Sequence, residues 1–370
     1  METPEQYMQL ALWLARKALG DTAPNPVVGA VIVKRGRIVG QGYHRQAGLP
    51  HAEVEALRDA GERARGATLY VTLEPCHHTG RTPPCCEAII DAGIACVVVA
   101  MKDPNPLTNG RGIARLRRAG IRVIFGVMEE DAKHVNAPFT NYITTRMPWV
   151  IVKVAQSLDG KIATRTGESR WISSVASRAL AHRLRRQVDA IVVGVNTVLQ
   201  DDPLLTARDP TRPARPGKPL KVIVDSHLRT PPTSRCLSQA SPVATILATT
   251  ERSARKHAPF LKRGADVLAF PSSGGRVPLA RLLRELARRY EVMSVLIEGG
   301  GELIASALEA RLVDRVVWGI APVLIGGRTS PSSVGGEGIA RLAQAMRVDE
   351  MLIRRMGVDL VLDASVVYPT

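Results

Sequence analysis

The chain has 370 residues, of which 45% are hydrophobic and 4% aromatic, and its 50 basic and 34 acidic side chains give a net charge of +16. At about 150 residues per domain, this length predicts two domains with separate cores. The composition excludes a disordered or collagen-like chain, and no apolar run reaches the ~18 residues of a membrane helix. Polar residues interrupt the apolar residues between 7 and 18, as in an amphipathic helix and unlike a signal peptide, so we predict a cytoplasmic protein.

The basic excess is unevenly distributed along the chain. Residues 1–146 carry a net charge of +4 and residues 147–370 a net charge of +12. A balance this basic is typical of proteins that bind nucleic acid or heavily phosphorylated ligands. Because the first part is only weakly basic and has no aromatic-rich basic stretch, we predict no nucleic-acid partner. The lack of a long apolar run predicts no membrane partner.

The first 146 residues alternate between strand and helix patterns after the amphipathic helix. Strands are predicted at 27–33, from 38 onward, and at 68–73, 95–100 and 121–127, and helices at 51–64, 84–92 and 112–119. This order predicts an α/β domain whose strands are covered by helices on both faces. Periodicity is lost between residues 136 and 148, and Met147-Pro148 is interpreted as the boundary, giving domains 1–146 and 147–370.

The cysteines indicate a metal site rather than a disulfide framework, because four of the five lie between residues 76 and 96. His51 and Cys85 each open a predicted helix, and the partial positive charge of a helix N-terminus favours the thiolate that binds zinc. With Cys76 they would leave a fourth tetrahedral position for water, as in catalytic zinc sites. Cys86 is the alternative ligand, but neighbouring residues of a helix face different ways, so we favour Cys85.

Glu53 is placed two residues after His51, where it can carry protons for a zinc-activated water. A His-x-Glu sequence followed by Pro-Cys and a second Cys is the signature of zinc nucleobase deaminases. That signature usually has two residues between the cysteines, whereas eight separate Cys76 from Cys85. A structural zinc, or buried cysteines beside a surface histidine, is the alternative interpretation. Cys96 and Cys236 are predicted to be buried as small hydrophobic residues.

The second part of the chain repeats the alternation of strands and helices. Strands are predicted at 149–155, 190–195, 220–224, 244–248, 267–270, 292–297, 314–320 and 358–362, and helices at 174–187, 278–290 and 303–310. The pattern predicts a second α/β domain with a sheet rich in parallel pairs. A run of three glycines at 299–301 joins a strand to a helix, where it could cradle a phosphate or form a plain turn. Two of the three arginines Arg183, Arg185 and Arg186 are expected on a solvated helix face.

Several motifs together resemble the bifunctional deaminase/reductase family of riboflavin biosynthesis. In the first domain they are residues 25–29 (NPVVG), 51–53 (HAE), 72–76 (TLEPC), 80–85 (GRTPPC) and 102–105 (KDPN). In the second domain they are residues 157–161 (SLDGK), 169–173 (SRWIS), 193–198 (VGVNTV), 201–208 (DDPLLTAR), 298–302 (EGGGE) and 321–327 (APVLIGG). The resemblance covers nearly the whole chain. It implies an α/β fold of two domains, an N-terminal cytidine-deaminase-like α/β/α layer and a C-terminal dihydrofolate-reductase-like α/β domain.

The resemblance also implies which residues form the two sites. In the deaminase, zinc would be held by His51, Cys76 and Cys85, protons would be carried by Glu53, and substrate would contact Asn25, His44, Arg81, Asp103 and Asn105. In the reductase, NADPH would contact Ala155, Trp171, Thr197, Asp201, Gly300, Gly301, Glu302, Leu303, Ile304, Ala305 and Ser306. The reductase substrate would contact Ser169, Arg185, Leu205, Arg208 and Glu298, and Lys153 is a further candidate to reach its sugar. One departure is His77, followed by His78, where the family usually has Ser.

The implied function is two consecutive reactions. The first domain would remove the exocyclic amine of 2,5-diamino-6-(5-phosphoribosylamino)pyrimidin-4(3H)-one. The second would use NADPH to reduce the ribosyl group of 5-amino-6-(5-phosphoribosylamino)uracil to ribityl. Arginines suit this phosphorylated substrate because guanidinium binds phosphate with two parallel hydrogen bonds. We also expect the chain to form a homo-oligomer. The alternatives are a nucleic-acid deaminase, and a non-catalytic zinc module fused to a regulatory nucleotide-binding domain.

Overall fold

The computed structural model describes residues 3–79, 83–208, 215, 217–238 and 243–369. The chain divides into two compact units, Met1–Met147 and Pro148–Thr370. Each unit is built from helices packed on a sheet, so the predicted α/β class is confirmed. Among the described residues, no helix combines the length and the apolar character needed to cross a bilayer.

The first unit is a five-stranded sheet with helices packed against it. Its helices are α1 (Pro4–Arg16), α2 (Ala52–Ala60), α3 (Cys85–Asp91), α4 (Arg111–Arg118), α5 (Glu129–Val135) and α6 (Ala137–Thr145). Its strands are β1 (Gly29–Lys34), β2 (Arg37–Tyr43), β3 (Thr68–Leu73), β4 (Cys96–Met101) and β5 (Arg122–Phe125). The strand order is β2-β1-β3-β4-β5, in which β1 is antiparallel to β2 and β3, and the remaining pairs are parallel.

Two glycines of β2 allow α2 to lie directly on the sheet. A Cβ atom at Gly40 would lie 2.4 Å from the carbonyl oxygen of Ala56, and one at Gly42 would lie 2.5 Å from the Ala56 nitrogen. Any side chain at these positions would therefore lift the helix. This close packing fixes the height of the first turn of α2, which carries His51 and Glu53.

The loss of periodicity between residues 136 and 148 conceals a helix, because α6 occupies residues 137–145. Only Phe139 of this helix is fully buried, so the sequence has no apolar stripe from which a helix could be recognised. Asn136, between α5 and α6, bonds the backbone of Val27 twice: its Oδ1 accepts the Val27 N–H at 3.0 Å and its Nδ2 donates to the Val27 carbonyl at 3.0 Å.

The second unit is a nine-stranded mixed sheet. Its strands are β6 (Trp149–Ser157), β7 (Ala190–Gly194), β8 (Leu220–Val224), β9 (Thr245–Thr249), β10 (Asp266–Ala269), β11 (Ser294–Glu298), β12 (Arg315–Ala321), β13 (Arg347–Met356) and β14 (Asp359–Val367). Its helices are α7 (Val175–Gln187), α8 (Val195–Asp201), α9 (Ala254–Leu261), α10 (Leu279–Tyr290) and α11 (Gly301–Glu309). The strand order is β10-β9-β8-β7-β11-β6-β12-β14-β13, parallel from β10 to β12 and antiparallel in the last two pairs.

The parallel arrangement determines where this unit can bind a ligand. Because parallel strands end at the same edge of a sheet, the carboxyl ends of β6, β7 and β11 lie side by side. Ligands of open α/β sheets bind in the crevice at that edge. The helices α7, α8 and α11 bring further predicted reductase residues, among them Arg185, Thr197 and Glu302, to the same pocket.

Three elements of this unit were not predicted, namely α8, α9 and β13. The α9 helix contains Pro259, which normally ends a helix pattern. Strand β13 is exposed along nearly its whole length, so its side chains show no alternation of buried and exposed positions. The expectation for the arginines of α7 is also wrong, since Arg186 is buried and Arg185 is mostly buried.

Candidate active sites

The first unit brings one imidazole and two thiols together. His51 is the N-cap residue of α2, Cys76 follows β3, and Cys85 is the first residue of α3. Their ligand atoms lie within 4.8 Å of one another, and they form the sole metal-ligating group found within the described part of the chain. His51 Nδ1 lies 3.0 Å from Cys85 Sγ and 3.6 Å from Cys76 Sγ. One nitrogen and two sulfurs at these separations fit a tetrahedral zinc with one open position.

The two adjacent cysteines of α3 have different surroundings. Cys86 Sγ donates to the carbonyl oxygens of Pro75 at 3.5 Å and Gly112 at 3.6 Å, away from His51. Burial, the main cause, raises the pKa of Cys86 to about 12, which keeps it a thiol. The backbone N–H of Cys85, by contrast, donates to Cys76 Sγ at 3.3 Å.

The two thiols that face His51 share one proton. The hydrogen bond from the Cys85 thiol lowers the pKa of Cys76 to about 4 against the effect of burial, and the contact with His51 acts in the same direction. The same hydrogen bond raises the pKa of Cys85. Cys76 is therefore the thiolate of the pair, and thiolate is the form that binds metal.

Glu53 lies in the first turn of α2 and is almost wholly buried. Burial raises the pKa of Glu53 to about 7, while the neighbouring His51 acts in the opposite direction. The carboxyl group of Glu53 also interacts with the Cys85 side chain, which lowers its pKa slightly against the effect of burial. A buried carboxyl at the edge of a metal-ligating group, in contact with one of the ligands, is placed to exchange protons with a molecule bound there.

Asn25 and His44 form a hydrogen-bonded pair beside the metal-ligating group. Burial lowers the pKa of His44, so its ring is neutral. Its Nδ1 lies 3.1 Å from the Pro50 carbonyl, which can only accept, and its Nε2 lies 3.1 Å from Asn25 Nδ2, which can only donate. Nδ1 therefore carries the proton, and His44 orients the Asn25 amide. The His44 and His51 rings meet edge to face, with centroids 5.2 Å apart.

The remaining predicted substrate contacts of this unit lie in a loop after β4, except Arg81, which falls outside the described residues. Asp103 Oδ1 accepts the N–H of Asn105 at 2.9 Å, and Asn105 Oδ1 accepts the N–H of Leu107 at 3.1 Å. Burial raises the pKa of Asp103. His77 and His78 pack against each other with ring centroids 5.4 Å apart, and neither belongs to the metal-ligating group.

Glu74 had no predicted role, yet it connects three segments of this region. The buried carboxylate accepts three backbone N–H groups: Gly110 at 2.8 Å, Ile113 at 3.0 Å and Asp103 at 3.2 Å. Glu74 thus joins the end of β3 to the Asp103 loop and to the first turn of α4. A charged residue directly after an almost wholly buried strand was the available signal.

The second unit contains a pocket of about 1260 Å³ at the carboxyl ends of the parallel strands. Of the predicted cofactor contacts, it is lined by Ala155, Trp171, Thr197, Asp201, Gly300, Gly301, Glu302 and Ile304. Of the predicted substrate contacts, it is lined by Ser169, Arg185, Leu205, Arg208 and Glu298. Leu303, Ala305 and Ser306 do not line it; the first two are buried on the packed side of α11, and Ser306 bonds the Glu302 carbonyl.

The pocket is strongly basic, with seven lysine or arginine side chains and three carboxylates among its lining residues. The glycine run forms one wall: Gly299 and Gly300 have φ angles of 72° and 79°, which other residues rarely adopt. Gly300 is the N-cap residue of the nine-residue helix α11, so the positive end of that helix faces the pocket. Both features favour a phosphorylated ligand.

A buried charge cluster lies at the floor of the pocket. Arg185 holds Glu298 bidentately, with Nη2 to Oε2 at 2.5 Å and Nε to Oε1 at 3.0 Å, and Nη1 donates to the Thr206 carbonyl at 3.2 Å. Lys153 is in register with Glu298 on the neighbouring strand, and burial lowers its pKa. Burial opposes ionisation of Glu298, but Arg185 and then Lys153 keep its pKa below the ordinary value.

Two further contacts organise the pocket walls. Ser169 Oγ donates to Asp201 Oδ1 at 2.9 Å, which joins two predicted contact residues. The backbone N–H of Arg208 donates to His182 Nδ1 at 3.2 Å. His182, which lines the pocket, was not predicted; burial lowers its pKa, and the positive charges of Arg185 and Arg208 lower it further.

Comparisons with known proteins agree with this division. Residues 1–101 match the family model for the cytidine and deoxycytidylate deaminase zinc-binding region, and residues 148–362 match that for the RibD C-terminal domain. The chain is 46% identical over 362 residues to riboflavin biosynthesis protein RibD of Aquifex aeolicus, covering 98% of each sequence. It also superposes on RibD of Acinetobacter baumannii with a TM-score of 0.87 and 38% identity, covering 98% of this chain and 99% of that one.

A second solved structure gives the name of an activity. A protein from Thermotoga maritima, described as a diaminohydroxyphosphoribosylaminopyrimidine deaminase/5-amino-6-(5-phosphoribosylamino)uracil reductase, superposes with a TM-score of 0.86 and 34% identity. The match covers 99% of each chain.

Proposed function

Because this chain belongs to the RibD family of bifunctional deaminase/reductases of riboflavin biosynthesis, we propose the roles that its residues play in the two reactions. Membership confirms the predicted enzyme class and favours it over the two alternative functions. The observation that carries the residue assignments is the presence, on one chain, of a His-Cys-Cys group beside a buried glutamate and of a basic pocket beside a glycine turn. The substrates are those in the name of the Thermotoga protein.

In the deaminase, His51, Cys76 and Cys85 hold zinc, which supplies a Lewis acid that activates water. Glu53 takes the proton of the attacking water on its carboxylate and passes it to the departing amine, which leaves as ammonia. The balance is one water consumed and one ammonia released, as the amino-substituted ring carbon becomes a carbonyl. The burial of Glu53 and its position in the first turn of α2, two residues after His51, support this role.

The pyrimidine is oriented by the side chains around Glu53. Asn25 is held by neutral His44, so its amide oxygen is available for a donor of the ring. Asp103 and Asn105 lie on the loop that Glu74 anchors, and we assign them to the pyrimidine and its ribosyl phosphate together with Arg81.

In the reductase, NADPH supplies a hydride for C1 of the sugar. We assign the cofactor to Ala155, Trp171, Thr197 and Asp201 and to the first turn of α11, whose N–H groups suit its phosphates. Ser169, Leu205 and Arg208 contact the sugar phosphate.

The buried charge cluster acts at the reacting end of the sugar. Arg185 is engaged by Glu298, so its role is to hold that carboxylate rather than to clamp phosphate alone. Lys153 then faces the pocket beside a fixed negative charge, where its ammonium can donate a proton to the ring oxygen as the sugar opens.

We also propose a domain division, a cellular location and an oligomeric state for this chain. We assign residues 1–146 to the deaminase and 147–370 to the reductase, which the two compact units and the two family matches support. A cytoplasmic location suits a site with two thiol ligands, because thiols persist in a reducing compartment. We also expect a homo-oligomer.

The test measures the two reactions separately on one protein. The zinc-loaded enzyme is incubated with NADPH and the deaminase substrate, and ammonia and the fall in NADPH absorbance are followed. Glu53→Gln should abolish ammonia release yet leave reduction of the pre-deaminated uracil unchanged. Glu55→Gln on the same helix, whose carboxylate pairs with Arg58 at 2.7 Å, is the matched control and should retain both activities. Unimpaired ammonia release by Glu53→Gln would refute the proton-transfer role.

A further inference from the structure

Helix α7 directs two side chains toward residues 205–208, which we call the substrate segment. His182 and Arg185 are three residues apart, so they lie on the same face of the helix. Both line the pocket of the second unit. Arg185 belongs to the buried charge cluster, whereas neither reaction as described above uses His182.

The two side chains hold the substrate segment at separate points. Arg185 Nη1 donates to the Thr206 carbonyl at 3.2 Å. The backbone N–H of Arg208 donates to His182 Nδ1, also at 3.2 Å. Leu205 and Arg208, which we assign to the substrate, therefore flank a backbone that α7 fixes twice.

The two ends of the substrate segment are fixed in different ways. Leu205 has a φ angle of 51°, in the left-handed region that leucine rarely adopts, and its side chain is buried. Packing therefore holds that end. Arg208 at the other end is exposed, and its backbone is tied to α7 by the hydrogen bond to His182. That bond determines the position from which the Arg208 guanidinium reaches the pocket.

The surroundings of His182 favour its neutral ring. Burial lowers the pKa of His182, and the positive charges of Arg185 and then Arg208 lower it further. The carboxylate of Glu298 and the carbonyl of Thr206 act in the opposite direction. Because Nδ1 accepts the Arg208 N–H, the proton of the neutral ring lies on Nε2. An imidazolium has hydrogens on both nitrogens and cannot accept that bond.

We propose that His182 is a positioning residue of the reductase, whose Nδ1 holds the backbone of Arg208 so that the guanidinium meets the phosphate of the substrate. This role rests on the proposed reductase function and involves no contact between His182 and the reacting atoms. The hydrogen bond is present above the pKa of His182 and is lost as pH falls through it. That pKa lies below the ordinary histidine value of about 6.5, so acid weakens substrate binding.

Two substitutions of His182 separate the acceptor from the rest of the side chain. His182→Asn keeps an acceptor near the position of Nδ1 but cannot be protonated, and His182→Leu removes the acceptor. At a pH of about 8, where His182 is neutral, the KM for the pre-deaminated uracil should rise about two- to tenfold in His182→Leu, the effect of one hydrogen bond. It should stay near the wild-type value in His182→Asn. In both variants kcat should change less than KM, and the Kd of NADPH, measured by quenching of tryptophan fluorescence, should be unchanged.

The pH profile of KM tests the same role without relying on loss of function. The substrate phosphate itself titrates at a pH of about 6, so the wild type is compared with His182→Asn, which has no ring to protonate. As pH falls from about 8 to about 5, the KM of the wild type should rise relative to that of His182→Asn and approach that of His182→Leu. A role limited to packing would leave the two profiles parallel.

Arg183→Gln is the matched control, because Arg183 neighbours His182 on α7 but does not line the pocket. Its KM should follow the wild type at every pH. An unchanged KM in His182→Leu, or parallel profiles of the wild type and His182→Asn, would overturn the proposal. A wild-type KM that falls in acid relative to His182→Asn would overturn it too, since the imidazolium would then bind the phosphate directly. Absence of NADPH oxidation by the wild type at every pH would instead refute the proposed reductase function and, with it, this role.

Discussion

Replacing Glu74 by glutamine should loosen the deaminase site without touching a metal ligand. The carboxylate accepts two N–H groups on Oε2, from Gly110 and Asp103, and one on Oε1, from Ile113. A glutamine has one oxygen, so its NH2 group must face at least one of these buried donors. If the amide oxygen faces Gly110 and Asp103, the Ile113 N–H loses its acceptor. In the opposite orientation, the N–H groups of Gly110 and Asp103 both lose theirs.

The magnitude follows from the number of bonds lost. A hydrogen bond to a charged acceptor contributes about 1.5–3 kcal/mol, and an orphaned buried donor costs about 1–3 kcal/mol. We therefore expect Glu74→Gln to reduce the free energy of unfolding of the first unit by about 2–4 kcal/mol. Because the bond to Asp103 weakens or the start of α4 moves, the KM for the deaminase substrate should rise more than kcat falls.

The assay combines thermal unfolding of the zinc-loaded protein with steady-state ammonia release. Glu87→Gln is the matched control: Glu87 also contacts α4, through Arg115 at 2.7 Å, but it is about half exposed. Exposed ion pairs contribute about 0–1 kcal/mol, so this variant should be near wild type in both measurements. If Glu74→Gln matched the Glu87→Gln control in unfolding and in KM, the anchoring role assigned to Glu74 would be refuted.

Four other predictions concern packing, charge and metal. Burial raises the pKa of Asp314 to about 6, so its ionisation opposes folding, and the stability of the protein falls as pH rises from about 4 to about 6. In urea unfolding, Asp314→Asn should therefore stabilise the protein by up to about 3 kcal/mol at pH 7.5 and should have no effect at pH 3.5. Gly112→Ala would place a Cβ atom 2.0 Å from the carbonyl oxygen of Pro75, which directly precedes Cys76, so the zinc content measured by atomic emission should fall. Full zinc occupancy in this variant would contradict the prediction. Arg185→Ala leaves the buried Glu298 without its bidentate partner, which costs about 3–5 kcal/mol, and NADPH oxidation should be lost while ammonia release continues. Removal of zinc by a chelator should abolish ammonia release while NADPH oxidation continues. Retained ammonia release would contradict a metal role.

Local patterns predicted much of the fold. Strands β3 and β8 have the predicted bounds, because each is a short, mostly apolar run between turn residues. The elements that were missed lack such a pattern: α6 buries one side chain completely, and β13 is exposed along nearly all of its length. What stabilises them lies elsewhere in the chain, as the bonds from Asn136 to Val27 illustrate.

The two sites likewise contain residues that local patterns predicted and residues that only the folded structure brings together. Because His51, Cys76 and Cys85 sit at the ends of predicted elements, their meeting at one edge of the sheet could be anticipated, and the structure brings them together. The pairing of Arg185 with Glu298 spans 113 residues and could not be read from spacing. The anchoring by Glu74 likewise depends on where the first turn of α4 packs, which no local motif encodes.

The two bonds of Asn136 determine how the first unit can be dissected. The match to the zinc-binding family model ends at residue 101, although all three metal-ligating residues lie before that point. A fragment ending there would keep every ligand but leave the Val27 N–H and carbonyl without their partners, two residues from Asn25. We therefore expect a self-sufficient deaminase fragment to extend past the ligands at least to Asn136, and a gene cut for domain exchange to be tolerated best at the junction of the two compact units.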